Sequence, residues 1–213
     1  SSTRHHAPAF ALLDKDTTED RGNALGVSLI YSSSFALKAQ VSTKGYTRLT
    51  GGINDFDFCW VLGAGETFAT PEAVLAFSDE GIGGMSRELH DAYRNHLINP
   101  RYVKKPRPIV INSWEAVYFD PSPTRLMPII DAVKGTGIDT FVLDDGWFGA
   151  RRNDRAGLGD WVVSKDVYPE GLKPVIVHAH NAGMKFGIWF EPEMVNPDSD
   201  LFRAHPDWAI SVP

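Results

Sequence analysis

Thr140-Phe141-Val142-Leu143-Asp144-Asp145-Gly146-Trp147-Phe148 begins as a short apolar run and ends in two acids, a glycine and two aromatics. Two other stretches share that construction. Residues 108–112 (PIVIN) lead into Ser113-Trp114-Glu115, and residues 185–190 (KFGIWF) lead into Glu191-Pro192-Glu193. Continuous apolar runs of this length suit strands buried on both faces, as in a parallel sheet covered by helices. Helices are expected over residues 124–133, 172–181 and 198–204. Gly137 and Gly183 each fall shortly before the next strand, where a helix C-cap glycine belongs. A fourth strand is expected to begin within residues 208–212.

Upstream the texture changes. From residue 26 to 77 apolar residues alternate with smaller or polar ones: Val27, Leu29 and Tyr31; Phe35, Leu37, Ala39 and Val41; Phe56, Phe58 and Trp60. With turns at Lys44-Gly45 and Gly51-Gly52, this period of two reads as antiparallel sheet, part of a sandwich. A break at Gly81, Gly83 and Gly84 then leads to a helix with Ser86 as its N-cap and Leu89, Tyr93 and Leu97 as its apolar stripe. Asn99-Pro100 is expected to end that helix, and the basic stretch from Arg101 to Pro108 reads as a linker. The fold class is therefore α/β: a partial (β/α)8 TIM barrel, its first three to four strands, preceded by part of a β-sandwich.

Composition narrows the function. A formal net charge of -6 excludes an extended phosphate-binding surface, and Lys104, Lys105 and Arg107 form the densest basic run. No nucleic-acid partner is expected. Cys59 is the single cysteine, so an internal disulfide is impossible and a Cys-based zinc site has no ligand set. Neither a signal peptide nor a membrane span is visible, and the lone thiol suits a reducing compartment, so a cytoplasmic location is expected. The first residue is Ser1 and not Met, and with the end at Pro213 this reads as a chain cut from something longer.

In a parallel β/α barrel the C-terminal strand ends converge on one face, where binding sites are built. Three consecutive units presenting acids and tryptophans there form one pattern. Carboxylates accept hydrogen bonds from sugar hydroxyls, and adjacent acids can grip neighbouring hydroxyls. Tryptophan faces cover the C–H side of a pyranose. A carbohydrate site follows more readily than a nucleotide site, since no phosphate-cradling glycine loop with the required spacing exists.

Asn112-Ser113-Trp114-Glu115-Ala116, the run LDDGWFGARRNDRAGLGDW over residues 143–161, WFEPEMVNPDSDLF over residues 189–202, and HPDW over residues 205–208 together resemble glycoside hydrolase family 36, in particular its bacterial-type α-galactosidases. The resemblance implies a β-sandwich followed by a (β/α)8 barrel. Residues 1–100 would be the end of the sandwich domain with a linker helix, and residues 101–213 the start of the catalytic barrel. Asp144 and Asp145 would bind galactose hydroxyls, Trp114 would line the pocket, and Trp189 would contact the sugar. The implied activity is retaining hydrolysis of terminal non-reducing α-D-galactosyl residues from melibiose- or raffinose-type oligosaccharides. A galactosyltransferase of raffinose-synthase type and a noncatalytic carbohydrate-binding protein are the alternatives. The family's nucleophile lies in a Lys-x-Asp motif on a later strand and its acid/base Asp later still. Neither occurs before Pro213, so both are expected beyond it. No metal or organic cofactor is implied.

Other residues invite plainer readings. Glu191 and Glu193 stand where a glycosidase acid is often found, but the resemblance leaves them a loop-fixing role around Pro192. His178 and His180 are two apart on a helix, where side chains diverge, so packing or surface roles are expected over metal binding. Trp147 fits either a pocket wall or a buried loop anchor. Arg151, Arg152, Asp154 and Arg155 read as a solvated loop, a candidate for the pocket entry or for an oligomer contact in the intact protein.

Overall fold

The structure, a computed structural model, describes residues 6–56 and 58–210. The chain divides into two compact units, Ser1–Lys105 and Pro106–Pro213.

In the first unit, β1 (Ala9–Leu13), β2 (Ala24–Ile30) and β5 (Glu72–Ser78) form an antiparallel sheet in the order β1-β2-β5, while β3 (Phe35–Val41) and β4 (Thr47–Ile53) form a separate hairpin. The period of two sorts the sheet into faces. Ala24, Gly26 and Ser28 point one way, and helix α1 (Gly81–Ala92) sits on them through Met85 and Leu89. Gly26 permits that approach, because a Cβ there would lie 2.8 Å from the Met85 sulfur.

Two expectations are corrected here. Ser86 does not cap the helix; α1 starts five residues earlier, with Glu80 at the N-cap position. Gly81 has φ +75, and a side chain there would collide with the Thr18 carbonyl at 2.5 Å. The glycine break is thus the helix's own tightly packed first turn and not a loop ahead of it. Phe56, Phe58 and Trp60 do not lie in a strand either: β4 ends at Ile53 and the next strand is β5. Phe56 is 81% and Trp60 59% exposed, and Trp60 packs on Phe68 with ring centroids 5.0 Å apart. Alternation marks a strand only where a neighbour takes its hydrogen bonds, and none is present among the described residues. Asp57 lies outside them. The helix continues from α1 into a π-turn over Tyr93–Leu97, and the expected linker begins as a short helix, α2 (Pro100–Val103), whose N-cap Asn99 accepts a bond from the Arg101 N–H.

The second unit alternates strand and helix: β6 (Val110–Asn112), α3 (Trp114–Val117), α4 (Pro123–Val133), β7 (Thr140–Leu143), α5 (Lys173–Asn181), β8 (Lys185–Ile188) and α6 (Asp200–Ala204). The three strands are parallel, in the order β6-β7-β8, with Val110 opposite Thr140 and Thr140 opposite Lys185. Leu126 and Ile130 of α4, Phe141 and Leu143 of β7, and Val175 and Ala179 of α5 are all fully buried together. Tyr168 is buried with them, and its hydroxyl donates to the Pro121 carbonyl; burial raises its pKa, which keeps that donor protonated. Gly183 follows the α5 C-cap as expected, but at the end of α4 the corresponding position is Gly135, two residues before Gly137. The expected fourth strand is not seen within the described residues: Pro206–Trp208 form a 3-10 turn, and Ser211, Val212 and Pro213 lie outside them.

Ile130 has no exposed surface, so it reports on how tightly α4 packs against the sheet. Ile130→Val is expected to lower the unfolding free energy of the intact protein by about 0.5–1.5 kcal/mol, as urea titration would measure.

Candidate sugar-binding site

The three parallel strands deliver their polar ends to one edge. At the end of β6, Asn112 bonds in two directions: its Oδ1 accepts from the Trp114 N–H at 2.8 Å, and its Nδ2 donates to Asp144 Oδ2 at 2.5 Å. The neighbouring Ser113, 1% exposed, accepts from the Asp144 N–H at 3.0 Å. Asn112 and Ser113 thereby tie the Trp114 turn to Asp144. The sequence places both at the same strand end as Trp114, and that shared position was the available signal for them. The Trp114 ring stands edge-on to Tyr118 and Phe119, at 5.2 and 5.0 Å. Tyr118, with φ 49, is the one non-glycine residue of positive φ among the described residues. A side chain held in that region costs of order 1–3 kcal/mol and persists where surrounding contacts impose it.

The two acids at the end of β7 have different surroundings. Asp144 is partly exposed and accepts one N–H on each oxygen, from Asp145 on Oδ1 and from Asn112 on Oδ2. A carboxylate oxygen has two lone pairs, so one remains on each for a ligand hydroxyl. Asp145 is 5% exposed. Its Oδ1 accepts from Gly146 N at 2.7 Å and Arg151 Nε at 3.0 Å, and its Oδ2 takes Arg151 Nη2 at 2.8 Å and shares Nε at 3.1 Å. At most one lone pair of Asp145 is left. Gly146, with φ +90, makes the sharp turn here, and a Cβ would sit 3.1 Å from the backbone of Phe119.

Trp189 follows β8 directly and is anchored at both backbone groups: its N–H donates to the Leu143 carbonyl, and its carbonyl accepts from Trp147 Nε1 at 3.0 Å. Trp147 is 2% exposed, stacked on Trp161 and edge-on to Phe148, so it is a buried loop anchor and not a pocket wall. Trp189 itself keeps part of its surface open beside Trp161. Glu191 is held above the usual carboxylate range by burial and then by Glu193. A neighbouring cavity of about 640 Å³ is lined by Trp161, Glu193, Met194, Phe202, His205 and Trp208, and not by the four candidate residues, of which Trp114, Asp144 and Trp189 are partly exposed and Asp145 is buried.

The charged loop departs from expectation. Arg151 is not solvated but 5% exposed, and Arg152 reaches inward to Ser164 Oγ and the Gly146 carbonyl. A run of arginines in a loop carries no sequence sign of burial, which requires partners contributed by other elements. His178 bonds Asp131 of α4 at 2.8 Å, a contact between packed helices, whereas His180 is exposed. Among the described residues no group of three or more His, Cys, Asp or Glu side chains is placed to hold a metal ion. No helix among them is long and apolar enough to cross a membrane.

A parallel β/α sheet whose C-terminal strand ends carry a braced acid between two tryptophans defines a barrel protein with a polar, aromatic-flanked rim. Comparison with known proteins makes the class specific. The Melibiase family matches residues 67–213, and the glycosyl hydrolase family 36 N-terminal domain matches residues 1–63. α-Galactosidase AgaA of Geobacillus stearothermophilus is 43% identical over all of this chain, which spans 29% of its length. The bifunctional α-galactosidase/sucrose kinase AgaSK of Mediterraneibacter gnavus is 44% identical over all of this chain, which spans 23% of it. Among solved structures, the α-galactosidase of Lactobacillus brevis superimposes with a TM-score of 0.92 at 44% identity over 97% of this chain and 28% of that one. A doubly substituted variant of AgaA in complex with stachyose superimposes with a TM-score of 0.91 at 42% identity over 100% of this chain and 30% of that one. The chain belongs to the melibiase family, within glycoside hydrolase family 36. Its fold is the opening of a (β/α)8 barrel, preceded in sequence by part of a β-sandwich.

Proposed function

We propose that the intact protein is a retaining α-galactosidase that removes terminal α-D-galactosyl residues from melibiose- and raffinose-type oligosaccharides. In this reading Asp144, Asp145, Trp114 and Trp189 bind the galactose. The observation that carries it is Asp144, its carboxylate braced by Asn112 and its N–H by Ser113, with one free lone pair on each carboxylate oxygen and a partly open tryptophan just beyond the end of each neighbouring strand. Charged-acceptor hydrogen bonds of this kind contribute roughly 1.5–3 kcal/mol each. Asp145 keeps room for one hydroxyl while it is held by Arg151. Residues 1–100 belong to the end of the sandwich domain and residues 101–213 to the start of the barrel, a division supported by the two compact units. The nucleophile and the acid/base, two carboxyl groups about 5–5.5 Å apart in a retaining enzyme, lie beyond Pro213. The lone, exposed Cys59 fits a reducing, cytoplasmic setting.

The test uses the full-length protein with a chromogenic α-galactoside and with raffinose, alone and with excess sucrose. Release of free galactose that persists with sucrose present is expected. Formation of a longer oligosaccharide at the expense of free galactose would replace hydrolysis by transfer, and galactose binding without any turnover would leave a noncatalytic sugar binder.

A further inference from the structure

One guanidinium touches all three strand-end segments of the barrel unit. Arg151, in the segment after β7, forks onto Asp145 through Nε and Nη2. Its Nη1 donates to Asn196 Oδ1 at 2.9 Å, in the segment after β8, and to the Ala156 carbonyl at 3.3 Å. Its carbon Cζ lies 5.3 Å from the Phe119 ring, in the segment after β6, and Phe119 in turn supports the Trp114 edge. Asn196 extends the connection: Oδ1 also accepts from the Leu158 N–H at 2.9 Å, Nδ2 donates to the Asp154 carbonyl, and its own N–H reaches the Leu158 carbonyl. Both Arg151 and Asp145 are 5% exposed, so the fork between them is shielded from water, while the Arg151–Asn196 bond is partly buried.

We propose that Arg151, acting with Asn196, is the positioning residue of the sugar site, fixing Asp145 relative to Trp114 through Phe119 and relative to the segment after β8 through Asn196. Lysine cannot replace it, because an ammonium is a point charge without the planar fork that meets a carboxylate and an amide oxygen at once. A small displacement of binding groups is costly: about 1 Å of misplacement far from the reacting atoms can lose on the order of a hundredfold. The inference rests on the galactosidase reading and deepens it.

The experiment uses the full-length protein, with D-galactose affinity by calorimetry, kcat and KM on a chromogenic α-galactoside, and thermal unfolding with far-UV circular dichroism to establish folding. Arg151→Lys is expected to weaken galactose binding and raise KM by roughly ten- to a hundredfold in protein that remains folded. Asn196→Leu, which is uncharged and removes the acceptor, should move both quantities in the same direction. Asn196→Asp keeps an acceptor for Arg151 and Leu158 and should recover most of that loss. The double variant Arg151→Lys/Asn196→Leu should be no worse than Arg151→Lys alone, since both break one connection. A purely structural pair would lower the unfolding temperature while folded variants kept the unmodified affinity and KM, and that result overturns the proposal. Should Arg151→Lys fail to fold, the Asn196→Leu affinity decides. An unmodified protein that neither binds nor releases galactose sinks the functional reading and this inference together. An unmodified protein that does both, with variants that match it, removes only the role of Arg151.

Discussion

Asp145→Ala in the full-length protein is expected to reduce stability and catalytic efficiency together. The Arg151 charge is buried to 5% exposure and its Nε and Nη2 have Asp145 as their partner. Removing that carboxylate leaves a desolvated cation with unpaired donors, a change that typically costs about 3–5 kcal/mol. Urea or thermal unfolding would register it. Loss of one charged acceptor for a sugar hydroxyl should separately lower kcat/KM by about ten- to a hundredfold, or roughly 1.5–3 kcal/mol. The double variant Asp145→Ala/Arg151→Met separates the two, because it removes the orphaned charge: stability should largely return and efficiency should not. An unchanged kcat/KM in folded Asp145→Ala protein would take Asp145 out of the sugar contact and would also count against the positioning role of Arg151, whose fork it holds.

These 213 residues, purified alone, are expected to give no steady turnover of an α-galactoside. Their barrel unit has three described parallel strands of the eight that close a barrel, and under the proposed function the nucleophile and acid/base are expected among other residues of the intact protein. The chain alone is also expected to associate, since Leu75 and Phe77 on β5, an edge strand of the first unit's sheet, are 64% and 63% exposed. Apolar side chains left open on a sheet edge favour association over a defined monomer. The assay is direct: colour release by the purified chain, against a preparation of the full-length protein. Turnover that survives repeated purification would relocate both catalytic carboxylates into residues 1–213.

Much of the barrel unit was legible in advance. The runs ending at Asn112, Leu143 and Ile188 are mostly apolar, as strands of a parallel sheet are, so the polar residues at their ends stand out, although only β7 carries fully buried side chains and Val110 of β6 is 49% exposed. Helices α4 and α5 fell within one residue of expectation for the same reason, their apolar positions repeating at helical spacing. The first unit was harder to read. Phe56, Phe58 and Trp60 alternate as a strand does, but pairing depends on a neighbour that the period of two cannot specify. The start of α1 was missed because Gly81, Gly83 and Gly84 look like a break until their contacts with residues 18–21 and Ser78 are seen.

By itself the sequence determined that acids and tryptophans terminate successive parallel strands, since hydrophobic burial imposes a periodicity that local composition must obey. Only the tertiary structure decided which of two adjacent aspartates keeps an acceptor site on both oxygens and which is largely occupied by a buried arginine. That choice was made by Arg151 and Asn196, whose pairing joins residues 45 positions apart and leaves no trace in the spacing of either.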